Sequence, residues 1–188
     1  MAEKMRRIAP TTLLILLALA AFAAAAVTLT NITEWHVQAE GTPPIVKVAG
    51  SDTQTGLVSV TTDTGTDGTN RTIITIKGYT GDPTYFSEAL KICNKGSTSY
   101  SVALVYQGLE SGGWTYVKYL KLWLGTTGPL TIESTTSGGT SIGPVTVNPN
   151  TCIPVAAEVL IDANTPNTEW NTDLISIRVD VVSTTPPP

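Results

Sequence analysis

The chain has 188 residues, of which 41% are hydrophobic and only 14% are charged, and its formal net charge is −4 at pH 7. Soluble domains average about 25% charged residues, and nucleic-acid-binding domains are typically basic, so this composition argues against a nucleic-acid partner. The content of β-branched residues is too high for a disordered chain. His36 is the single histidine, and no cysteine, aspartate or second histidine lies at ligand spacing from it.

The first 26 residues predict a signal peptide. A basic start is followed by an uncharged stretch over residues 11–27 that ends in a run of alanines, which is the order of an export signal with a signal-peptidase site. We therefore expect cleavage near Ala26, contact with the membrane only during export, and an extracellular location. The alternative is a retained hydrophobic helix, because about 17 apolar residues are the short limit for a membrane span.

Residues 27–38 alternate apolar and polar side chains directly after the expected cleavage site. Four apolar residues occupy odd positions and would share one face of a strand: Val27, Leu29, Trp35 and Val37. Ile32 would point to the other face and would need a bulge or a second contact. The segment predicts either a donor strand that completes the sheet of a neighbouring subunit or an ordinary first strand of its own domain.

Residues 39–182 predict one antiparallel β-sandwich, immunoglobulin-like or jelly-roll. Apolar residues recur with a period of two, and turns rich in Gly, Asn, Asp and Pro separate about ten strand candidates. In the last candidate, residues 174–182, every second residue is Ile or Val, which predicts one buried and one solvated face. Residues 85–92 are the most ambiguous, with a helical turn as the minor alternative. The Thr- and Pro-rich residues 183–188 predict an extended tail.

Two patterns that could carry chemistry have simpler explanations. Residues 139–143 match the Gly-x-Ser-x-Gly nucleophile motif, but Pro144 and a strand-like segment follow where a helix is required, and no histidine comes later. Residues 63–70 carry oxygen-bearing side chains at alternate positions, as calcium loops do. However, Gly65 occupies the third position of such a loop, and Ile74 occupies the twelfth position, where a bidentate glutamate is expected. A hairpin tip is the better interpretation. We predict no catalytic residue, no metal and no cofactor.

Aromatic residues and lysines alternate over residues 114–123. Trp114 and Tyr116 would lie on one face of a strand, and Tyr119 and Trp123 on the other. Packing in the core or against another subunit is the favoured interpretation of these rings, and stacking on sugar rings is the alternative.

Covalent modification is predicted at four residues. Cys93 and Cys152 are the only cysteines, each at the edge of a strand-like run, and in an exported chain they predict an intrachain disulfide. Two buried thiols are the alternative. Asn31 and Asn70 begin Asn-x-Thr triplets, which are N-glycosylation acceptors by pattern.

The alanine-rich leader, the alternating segment 27–37 and the Thr- and Gly-rich β-domain together resemble a known family. They look like the archaeal surface-filament subunits of the bundling-pilus and thread type, which are similar to the bacterial TasA and camelysin biofilm proteins. The resemblance implies a β-domain that polymerises with copies of itself by donating its N-terminal strand, for adhesion or biofilm formation. Neighbouring filaments or surface glycans are further expected partners.

Other functions stay open on sequence alone. A type IV pilin-like subunit would retain its apolar segment as a polymerising helix, with processing near Arg6 and Arg7. A secreted monomeric module would bind glycans or associate with the cell wall. An enzyme is the least favoured class, because no catalytic constellation is visible in the sequence.

Overall fold

The computed structural model describes residues 43–64 and 70–185. The predicted signal peptide, the predicted donor segment 27–38 and His36 lie outside these residues. The described part of the chain is all-β, as predicted, and its strands pair antiparallel. The strands are β1 (Ile45–Ala49), β2 (Val58–Thr64), β3 (Asn70–Ile76), β4 (Thr84–Asn94), β5 (Tyr100–Gly112), β6 (Val117–Leu124), β7 (Thr127–Ile132), β8 (Ser141–Val147), β9 (Cys152–Ile161) and β10 (Ile175–Thr184).

The strands form a sandwich in which a five-stranded sheet faces smaller sheets. The large sheet has the order β1-β4-β9-β6-β7, a three-stranded sheet has the order β10-β5-β8, and β2 and β3 form a separate hairpin. β8 contacts β6 and β7 across the interlayer space, whereas β2 contacts β1 at the other end of the large sheet. In the three-stranded sheet, β8 therefore lies at the β7 end of the sandwich, and β10 lies toward the β1 end.

The core lies between the sheets and is built from the inward row of each strand. Alternation along a strand sends every second side chain to one face, and most of the buried apolar residues come from β4, β5, β6, β7 and β9. The buried residues of this core include Phe86, Leu90, Ile92, Val102, Leu104, Tyr106, Leu122, Leu124, Leu130, Ile132, Val147, Val155, Ala157 and Val159.

A β-bulge in β4 explains why residues 85–92 are ambiguous in sequence. Phe86 lies opposite Ala157 and Leu90 lies opposite Val155, so β4 uses four residues where β9 uses two. The buried residues Phe86, Ala89, Leu90 and Cys93 consequently follow a spacing of three and four that is also typical of a helix. The segment is a strand.

The short 3-10 turn Ser51–Thr55 holds this bulge in place. The backbone N–H of Glu88 donates to Asp52 Oδ2 at 2.6 Å, and the N–H of Ser51 donates to Glu88 Oε1 at 2.9 Å. Gly50 precedes the turn, and a Cβ at this position would lie 1.8 Å from the carbonyl oxygen of Glu88. The close approach of the two backbones therefore requires glycine.

Two sequence interpretations concern the ends of strands. Ser141, the central residue of the nucleophile-like motif, begins the strand β8 and not the helix that a nucleophile elbow requires. β10 continues to Thr184, and its last two residues pair with Val102 and Ser101. The sheet therefore extends two residues into the segment that the sequence assigns to the tail.

Candidate functional site

Four strands form the outer edges of the two larger sheets, and three of them are short or interrupted. Edge strands expose unpaired backbone groups, and proline, short length and bulges limit pairing with another chain. β1 has five residues and follows two prolines, whereas β7 contains Pro129 and β8 contains Pro144. β10 has ten residues, no proline and a high content of β-branched side chains. It is the edge most able to accept another strand.

The inward row of β10 is only partly covered. Val179 lies opposite Tyr106 and Val181 lies opposite Leu104, so these valines point toward the interlayer space. Both partners on β5 are buried, whereas the valines pack against the core but remain partly exposed. β5 has a strand on each side, and β10 pairs only with β5 among the described residues. We call this row, Ile175, Ile177, Val179 and Val181, together with the side of its strand that faces away from β5, the β10 edge.

The prediction of one buried face on this strand is thus only partly met. The alternation itself is present, but Ser176 and Asp180 on the other row are covered to a similar degree as the isoleucines and valines. On that row Arg178 donates from Nε and Nη2 to the two carboxylate oxygens of Asp180, at 2.8 and 3.1 Å. A strand added beside β10 would meet an apolar row on one side and this polar pair on the other.

The β2–β3 hairpin presents a second incompletely covered apolar face. Val58, Val60, Ile74 and Ile76 share one face, because the register places Val58 opposite Ile76 and Val60 opposite Ile74. Val58 is buried in the core, but Ile74 is 38% exposed. Val60 and Ile76 also pack against the core, so the domain leaves this apolar face incompletely covered at Ile74. Its contact with β1 and the strand order of the three-stranded sheet put the hairpin toward the same end of the sandwich as the β10 edge.

The predicted disulfide is confirmed. Cys93 on β4 and Cys152 on β9 are direct register partners, and their sulfur atoms are 2.05 Å apart. The bond joins the two strands at the end of their ladder, after the last apolar pair. Of the predicted glycosylation sites, Asn70 begins β3 and Asn31 lies outside the described residues. Glycosylation at both stays a prediction.

The predicted donor residues Val27, Leu29, Ile32, Trp35 and Val37 all lie outside the described residues, so donation stays a prediction. Among the residues that the structure describes, no three His, Cys, Asp or Glu side chains are grouped closely enough to hold a metal ion. None of the helices found in that same part of the chain is long and apolar enough to cross a membrane.

Aromatic side chains meet on the outer face of the five-stranded sheet. Tyr119 and Trp123 share that face of β6, as their spacing predicts. Trp123 also contacts Tyr85 of β4, with ring centroids 5.7 Å apart and an interplanar angle of 75°. Sequence reasoning did not select Tyr85, which is far away along the chain. Trp114 lies before β6 and packs against the core.

Tyr119, Lys121 and Glu158 form a polar network beside these rings. Tyr119 Oη and Lys121 Nζ each donate to Glu158 Oε1 at 2.9 Å, and Lys121 Nζ lies 4.1 Å from the centre of the Tyr119 ring. The hydrogen bonds from Lys121 and then Tyr119 hold the pKa of the Glu158 carboxyl below its usual range. The bond to Glu158 raises the pKa of Lys121, and burial followed by that bond raises the pKa of Tyr119.

Comparison with known proteins adds no relative to this description. No model of a known protein family matches the sequence, and no curated protein matches it.

Proposed function

We propose that the protein is a structural subunit of an extracellular filament that polymerises by donor-strand exchange. The observation that carries the proposal is the β10 edge, a long proline-free strand whose inward valines are half-covered while their partners on β5 are buried. A sandwich with such an edge gains stability from an added strand, because the strand pairs free backbone groups and covers apolar surface.

The segment 27–37 has the pattern that this edge requires. A strand beside β10 must place its apolar side chains on the same side of the sheet as Val179 and Val181. Its polar side chains must lie on the side of Arg178 and Asp180. Val27, Leu29, Trp35 and Val37 would occupy one face of such a strand, with polar residues at most positions between them. Burial of these four side chains would contribute on the order of 6–12 kcal/mol before the entropy cost of association.

An extracellular location is part of the proposal. The disulfide between Cys93 and Cys152 is the kind of bond that persists in oxidising compartments and is rare in the cytosol. The basic and then apolar start of the sequence supports export. The principal partner is another copy of the same chain, and the assembled filament would serve adhesion or biofilm formation. The proposal assigns no catalytic residue and requires no cofactor.

Deletion of residues 27–37 tests the proposal. The deleted protein should retain its β-structure and its disulfide but should not form filaments under conditions in which the wild-type protein does, as judged by negative-stain microscopy. Filaments that form normally from the deleted protein would refute donation.

A pair of adjacent substitutions separates donation from a general loss of stability. Leu29→Asp places a charge on the apolar face of the segment, whereas Thr30→Asp places the same charge on its polar face. We expect the first to prevent polymerisation and the second to allow it. Mass spectrometry of the secreted protein should find its N-terminus between Ala24 and Leu29. A terminus at Met1 or Ile8 would instead favour a pilin that retains its apolar helix.

A further inference from the structure

A row of side chains crosses four strands on the outer face of the five-stranded sheet. Tyr85 on β4 lies opposite Glu158 on β9. Glu158 lies opposite Lys121 on β6, and Lys121 lies opposite Thr131 on β7. Neighbouring strands are about 4.8 Å apart, so these four residues form a line across the sheet. We call this line the outer-face row.

The row begins with an exposed aromatic ring whose orientation is fixed. Tyr85 is 57% exposed, and its edge-to-face contact with Trp123 holds the ring across β9. Ala156, the register partner of Trp123, lies on β9 between the two aromatic residues and is buried although it belongs to the outer face. A larger side chain at this position would separate the rings. The arrangement presents one side of the tyrosine ring to solvent.

The row continues into groups that can donate and accept hydrogen bonds. An ammonium group has three N–H donors and a carboxylate has about four lone-pair sites. Lys121 uses one donor on Glu158 Oε1, which also accepts from Tyr119. The pair therefore has capacity for a ligand, while the opposite charges of its two members cancel.

We propose that the outer-face row binds neutral hexopyranose sugars of a polysaccharide. A pyranose with equatorial hydroxyl groups has C–H bonds on its faces and hydroxyls on its rim. Its face would stack on the Tyr85 ring, and its rim hydroxyls would bond Lys121 and Glu158 next to that ring. A row that crosses four strands suits a chain of sugars, and the neutral ion pair suits an uncharged one.

A sugar fits this surface better than a protein partner does. A protein packed on the row would remove water from the Lys121–Glu158 pair without replacing its hydrogen bonds, and desolvation of an ion pair is costly. Sugar hydroxyls replace the lost water bonds directly. The row lies on the sheet opposite the one that contains the β10 edge. The binding proposal therefore stands independently of polymerisation.

Titration of the purified protein with cellohexaose and with hexa-N-acetylchitohexaose, both uncharged, tests the proposal. Tryptophan fluorescence, to which Trp123 contributes, should change saturably with at least one of these probes, and calorimetry should give the same affinity. Tyr85→Ala should lower that affinity about tenfold, because a lost aromatic contact of about 1.4 kcal/mol corresponds to that factor. Tyr85→Phe retains the ring and should bind within about twofold of the wild-type protein, since the hydroxyl adds little to stacking.

Trp170→Ala provides the matched control. Trp170 is a similarly exposed aromatic residue, at 53%, in the turn before β10 and outside the row. Its loss should leave sugar affinity unchanged. The proposal fails if neither hexasaccharide binds at millimolar concentration, or if Tyr85→Ala and Trp170→Ala weaken binding equally. It also fails if Tyr85→Ala abolishes self-association while neither sugar binds, because the row would then be a contact between copies of the chain.

Discussion

Val181 lies directly opposite Leu104 in the β5–β10 ladder, yet Leu104 is 2% exposed and Val181 is only partly buried. Both side chains point into the same interlayer space. The difference arises because Leu104 has a strand on each side, β8 and β10, whereas Val181 belongs to the outer strand of the sheet. The pair thus marks the point at which the core of the described domain ends and an added strand would continue it.

A lysine placed on either face of β10 tests this interpretation. Val181→Lys should prevent polymerisation, because an added strand would bury the charge at a cost of several kcal/mol. Val182→Lys places the same charge on the outer face, where Val182 is 44% exposed, and should polymerise normally. The free energy of unfolding of each variant monomer should lie within about 2 kcal/mol of the wild-type value, since neither valine is fully buried. If light scattering shows that the two variants assemble equally, the β10 edge is not the surface that accepts the added strand.

The disulfide should make a large contribution to stability. Cys93 and Cys152 are 59 residues apart in sequence, and closure of a loop of this length contributes about 4 kcal/mol in the chain-entropy model. Reduction, or the double substitution to alanine, should lower the midpoint of thermal unfolding by about 10 °C. Reductant should have no effect on the double alanine variant. If reduction of demonstrably accessible sulfurs leaves the midpoint unchanged, the contribution has been assigned wrongly.

Asn94 should be one of the most sensitive polar residues of the domain. Its side chain is fully buried, and Nδ2 donates to the carbonyls of Thr98 and Val147 at 2.7 and 3.0 Å. Its Oδ1 accepts from the N–H of Gly96 at 2.8 Å. Asn94→Ala would leave these backbone groups without that partner. It should lower the free energy of unfolding, measured by chemical denaturation, by about 2–4 kcal/mol.

Asn148→Ala is the matched control for this prediction. Asn148 is exposed, and its Oδ1 accepts one bond, from Ser99 Oγ at 3.2 Å. Its replacement should change stability by less than about 0.5 kcal/mol. Similar losses in the two alanine variants would argue against a specific role for the buried amide.

Acid should destabilise the domain partly through Glu158. Its carboxyl has a lowered pKa in the folded state, chiefly because Lys121 donates to it. As the pH falls through the usual carboxylate range, the unfolded chain takes up a proton before the folded chain does, so the free energy of unfolding decreases. The contribution is complete above that range and is lost as the pH falls through the lowered value. In Glu158→Gln and in Lys121→Met, the free energy of unfolding should decrease less steeply as the pH falls through the acid range, which we call the acid limb. A limb unchanged in both variants would contradict the assignment.

Sequence reasoning identified the strands well and their neighbours poorly, for a physical reason. The alternation of β10 and the even number of cysteines are local features, so the all-β fold and the Cys93–Cys152 bond could be predicted. The contact between Tyr85 and Trp123 depends on the registers of β4 and β6 against the intervening β9. Such pairings are non-local, and periodicity carries no information about which strand lies beside another.

The same limit explains why the open edge became apparent only in the structure. The sequence of β10 predicts a strand with one buried face, but burial depends on having a neighbour on each side. Pro129 and Pro144 mark β7 and β8 as edges that resist pairing. No comparable local signal identifies β10 as an edge at all.

Cryo-electron microscopy of filaments assembled from the wild-type protein tests the central claim most directly. The account predicts that residues 27–37 of one subunit lie as a strand along β10 of the next subunit. The side chains of Val27, Leu29, Trp35 and Val37 should lie on the same side of the sheet as those of Val179 and Val181. A filament map in which this segment pairs with β10 of its own chain, or in which β10 faces solvent, would contradict it.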